Sequence, residues 1–96
     1  MRVWSLLSGP AIPPFDCVLG CELDPGGTVG PHVQDRCDEI IIITEGRGRA
    51  RVGNGAVDLE PGVVVQLPLG ELLALANGSD DAPLRYLIIK VAASSS

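Results

Sequence analysis

The side chains best able to do chemistry lie in residues 26–46, GGTVGPHVQDRCDEIIIITEG. A glycine-rich turn delivers the one histidine of the chain, His32. Gln34 follows two residues on, the spacing that keeps an extended side chain on the same face. Glu39 opens a run of four isoleucines, and Gly46 ends it. An imidazole and a carboxylate from neighbouring strands support several chemistries. With further donors they hold a divalent ion. Without metal, His32 serves as general acid or base and Glu39 orients it. A third reading needs no reaction: the two groups hydrogen-bond each other and line an apolar cavity, since a buried polar group needs only a partner. Cys37 shares the face of Glu39 if that strand begins early, and its thiolate is then a candidate ligand. If the strand begins later, Cys37 is a loop thiol.

These groups need strands to hold them. Residues 2–7 read as a short strand, and the proline-rich crossing at 8–14 can be neither helix nor central strand. Residues 15–23 alternate, with Cys17, Leu19, Cys21 and Leu23 on one face, where free cysteines pack as small hydrophobes. Further strands are expected at 28–34, 39–45, 46–52, 56–59, 63–67, 72–76 and 84–91. Gly/Pro/Asn turns separate them, including Gly53-Asn54-Gly55, whose Asn-Gly is a strong hairpin signal. The isoleucine run predicts burial on both faces of its strand. No segment has a helical period with caps. Nine short strands at roughly ten-residue spacing mean an all-β barrel or sandwich. Glu39, Ile41 and Ile43 share one face, so all three point into the barrel if Glu39 does. Tyr86 lies on the last strand, where periodicity leaves its face open. Arg47, Arg49 and Arg51 alternate with small residues, either an anion-binding stripe or the solvent face of a strand.

Composition narrows the classes. Ninety-six residues make one domain spanning 1–96, and one Trp, one Tyr and one Phe against 46% hydrophobic residues require an aliphatic core. The net charge of −5, with a single lysine, argues against nucleic acid and anionic membranes. Three cysteines are an odd count, so no disulfide framework follows and a reducing cytoplasm fits. The start is too proline-rich for a signal peptide, and the apolar runs at 40–43 and 62–65 are far below a membrane span. A mean hydropathy of +0.31 with only 20% charged residues predicts a greasy surface and a homodimer.

The order of residues resembles the cupins. Gly26, His32, Gln34, Glu39 and Gly46 fall on the first cupin motif. Gly62, Pro68, Gly70, Leu73 and Asn77 fall on the second without a gap. The resemblance implies a small cupin-type β-barrel or jelly roll, open at one end. In the family, two histidines and a glutamate of the first motif and a histidine of the second hold iron, manganese, nickel or zinc. This chain keeps His32 and Glu39, but Gln34 and Leu73 stand where the other two histidines belong. The resemblance therefore implies a degenerate metal site and no tightly held cofactor. The expected function is binding of a small, largely apolar organic molecule. His32, Gln34 and Glu39 supply polar contacts, and Ile41, Ile43, Leu73, Leu75 and Tyr86 line the pocket. The alternative is an enzyme. A divalent metal on His32, Glu39, Gln34 or Cys37 would serve it, or His32 and Glu39 as a catalytic acid–base pair. Small cupins include dioxygenases, isomerases and cyclising tailoring enzymes, which is analogy of fold. A structural role without ligand is a third reading.

Overall fold

The computed structural model describes residues 1–92. Nine strands form among them: β1 (Arg2–Ser5), β2 (Phe15–Leu23), β3 (Thr28–Val33), β4 (Cys37–Glu45), β5 (Gly48–Val52), β6 (Gly55–Leu59), β7 (Val64–Leu67), β8 (Leu72–Asn77) and β9 (Leu84–Ala92). They build two antiparallel sheets, β1-β2-β9-β4-β7 and β3-β8-β5-β6. The all-β expectation holds, and no helix among the described residues is long and apolar enough to cross a membrane.

The core lies between the sheets. The inward set of the larger sheet includes Cys21, Leu23, Ile41, Ile43, Val65, Leu67, Leu84 and Tyr86, and the smaller sheet answers with Ala50, Leu59, Leu73 and Leu75. With so few aromatics, branched aliphatic side chains fill this space, as the composition requires.

Two local readings change. The isoleucine run is buried on one face only. Ile41 and Ile43 are fully enclosed, whereas Ile40 and Ile42 are half-buried on the outer face of the larger sheet. The hairpin turn expected over Gly53-Asn54-Gly55 narrows to Gly53-Asn54, with Gly55 already in the strand. Val52 pairs with Gly55 across it, and the positive φ of 57° falls on Gly53, the pattern of a II′ turn. Glu22 points outward yet is buried, because Arg2 and Arg85 both bond its carboxylate. Those bonds hold the Glu22 carboxyl below its usual pKa.

Asn77 closes the structure at the end of β8. Its buried Nδ2 donates to the carbonyls of Leu23, Asp24 and Ala82 at 3.1, 3.1 and 2.9 Å, and its Oδ1 accepts from Ser79 N at 2.9 Å. One side chain thereby ties the end of β2 to the loop before β9. Replacement by alanine leaves buried carbonyls without donors. Asn77→Ala is expected to lower the unfolding free energy by about 2 kcal/mol, read from urea denaturation.

Candidate functional site

The site begins at β3. Gly30, at φ 81°, sits in a bulge where the β3–β8 register shifts between Val29 and His32. A Cβ at Gly30 would meet Leu73 O at 2.7 Å, so only glycine lets the chain pass here. Beyond the bulge, His32 pairs directly with Leu73 of β8. Two of the three residues at histidine positions of the resembled motifs, His32 and Leu73, thus face each other across one ladder.

His32, Glu39, Leu73, Leu75 and Tyr86 come together. They line one interior cavity of about 170 Å³, with Val29, Leu19, Cys21, Ile88, Lys90 and the N-terminal Met1 and Val3. His32 is solvent-exposed at its rim, whereas Glu39 is only 4% exposed. Ile41 and Ile43 are not in the lining. They lie on the Glu39 face, but further along β4 inside the packed core. Gln34 and Cys37 also stay outside the lining. Gln34 Nε2 donates to Glu39 Oε2 at 2.9 Å and to Cys37 Sγ at 3.3 Å, so its amide links the carboxylate to the thiol. A larger hollow of about 670 Å³ lies against the outer face of the larger sheet, between Phe15, Ile40, Gln66 and Ile89. The arginine stripe stays outside as well: Arg49 and Arg51 are exposed on the smaller sheet, and Arg49 pairs with Asp58 at 3.2 Å.

Lys90 was not singled out as a site residue by sequence reasoning, yet it is central. Its Nζ lies 3.8 Å from Glu39 Oε2. The signal was present: Leu84, Tyr86, Ile88 and Lys90 continue one alternating set on β9, and Lys90 is the only lysine. Burial raises the Glu39 pKa, and Lys90, His32 and the Gln34 amide pull it partly back. Burial also pushes the Cys21 thiol up to about 11, and raises Cys37 and the Tyr86 phenol. The thiols are therefore neutral near pH 7 and poor metal ligands.

A model of the cupin domain matches residues 21–90. The chain belongs to the cupin domain family. Solved structures agree with its fold. A cupin 2 conserved barrel domain protein from Salinispora arenicola superposes with a TM-score of 0.79 at 25% identity, over 94% of this chain and 74% of that one. A predicted oxalate decarboxylase from Thermotoga maritima gives 0.84 at 25% identity, over 94% and 78%. No curated protein matches this cupin in sequence.

Cupins often hold metal ions, but the donors of this one do not fit a divalent ion. Among the described residues no three His, Cys, Asp or Glu side chains converge. Leu73 fills the position opposite His32, Gln34 turns its amide nitrogen toward the carboxylate, and an ammonium already faces the same oxygen. A metal would meet two strong donors and a fixed positive charge.

The raised pKa of Glu39 has a defined effect on stability. Folded Glu39 takes up a proton more readily than the unfolded chain does. Its favourable contribution is complete below the unfolded pKa and is lost as pH rises through the folded one. Glu39→Gln should therefore raise the melting temperature near pH 7. The gain should fade as the solution is acidified through the carboxylate range, which thermal melts across pH will check.

Proposed function

We propose that this cupin binds a small, largely apolar organic molecule in its barrel cavity, without a tightly held metal. The observation that carries this reading is the cavity wall. Val29, Leu19, Leu73, Leu75 and Ile88 supply aliphatic surface, and His32, Glu39 and Lys90 form one polar corner. Apolar walls with a few convergent polar groups are the usual build of a ligand site. The size suits a ligand near that of a single aromatic ring, since an apolar cavity of about 150 Å³ holds benzene.

A second reading, proton transfer on the bound molecule, is favoured by the raised pKa of Glu39 beside His32. In that case His32→Gln and Glu39→Gln would each abolish turnover while leaving ligand affinity largely intact.

Two measurements test the main reading. Elemental analysis of protein purified without added metal should find well below one equivalent of transition metal. The double variant Gln34→His with Leu73→His should bind a divalent ion far more tightly than the natural protein, measured by calorimetry with zinc or nickel. One equivalent of metal in the natural protein would overturn the reading.

A further inference from the structure

We propose that Lys90 makes the cavity select an anionic ligand: a small carboxylate or similar oxyanion on an apolar body. This rests on the cavity being a ligand site, and it adds the ligand's charge. The argument starts from what a ligand entering the barrel would meet. The Glu39 side chain is 3% exposed and the Lys90 side chain 31%. The carboxylate is thus recessed, and the lysine side chain is the more accessible of the two.

The carboxylate is also already engaged. Its Oε2 takes the Gln34 amide at 2.9 Å and faces the Lys90 ammonium at 3.8 Å. The ammonium has donors to spare. An ammonium carries three N–H groups, and the carboxylate contact of Lys90 is a long one, at 3.8 Å.

The rest of the lining agrees. His32 stands in the same lining, and its ring N–H can donate to a ligand oxygen. The Tyr86 hydroxyl donates only to the Met1 sulfur, at 3.5 Å, a weak acceptor that a ligand oxygen can replace. Around these groups the wall is aliphatic, so a bound anion would be shielded from water and its hydrogen bonds to charged donors correspondingly strong. Arg49 and Arg51 cannot take this role, since they lie on the outer face of the smaller sheet.

Benzoate, benzamide and toluene are probes of closely similar shape with different charge and polarity. Titrated into the natural protein and followed by calorimetry, benzoate should bind about tenfold or more tightly than benzamide, the scale of a hydrogen bond to a charged group. Because Lys90 is the only lysine, protein carrying ¹³C-lysine gives one set of lysine side-chain resonances. Benzoate should shift them and benzamide should not, a readout that needs no variant. In Lys90→Met, benzoate should weaken to the level of benzamide while benzamide stays unchanged. In Glu39→Gln, which removes the competing negative charge, benzoate should tighten several-fold. Benzamide binding as well as benzoate, or Lys90→Met weakening both equally, would overturn the proposal and leave the cavity reading standing. Failure of all three probes to bind would overturn both.

Discussion

A carboxylate held away from water must be met by a proton, a cation or hydrogen-bond donors. In this barrel that carboxylate is Glu39, inward on β4 beneath an aliphatic wall. Three neighbours meet it: the Gln34 amide from beyond the end of β3, the Lys90 ammonium from β9, and the charge of His32. They only partly offset the burial, so the carboxyl still titrates above its usual range. Both sheets are needed to assemble this group. The bulge in β3 aims His32, the β4–β9 ladder sets Glu39 opposite Lys90, and β8 closes the cavity with Leu73.

The arrangement makes sense of how this cupin departs from its family. Replacing an imidazole donor by glutamine removes a metal ligand, but it adds an N–H that points at the carboxylate. Leucine at position 73 removes another donor and adds wall. A lysine then supplies a positive charge inside the barrel. Each change works against cation binding, and together they leave a buried negative charge compensated by side chains. The cavity that remains is small, mostly apolar and polar at one corner.

Much of this was legible in the sequence. Period-two alternation with Gly/Pro turns identified the strands, because a half-buried strand writes its two faces into the chain directly. That His32 and Glu39 share a cavity was implied by the resemblance to the cupin motifs, since periodicity alone left the direction of Glu39 open. Other features were hidden for physical reasons. Ile41 and Ile43 share the face of Glu39, but a strand's face does not say how far along it the cavity extends. The outer side of the isoleucine run looked buried because β-branched residues suit any strand, covered or not. Lys90 escaped notice because its partner lies 51 positions earlier, and only the register Glu39–Lys90 brings them together.

The most direct test is the titration of Glu39 itself, followed by NMR of its carboxyl carbon in the natural protein and in Lys90→Met. If the lysine is the cation that meets this carboxylate, its removal must push the Glu39 midpoint to higher pH. An unchanged midpoint would show that Lys90 does not hold the buried charge and would contradict the account.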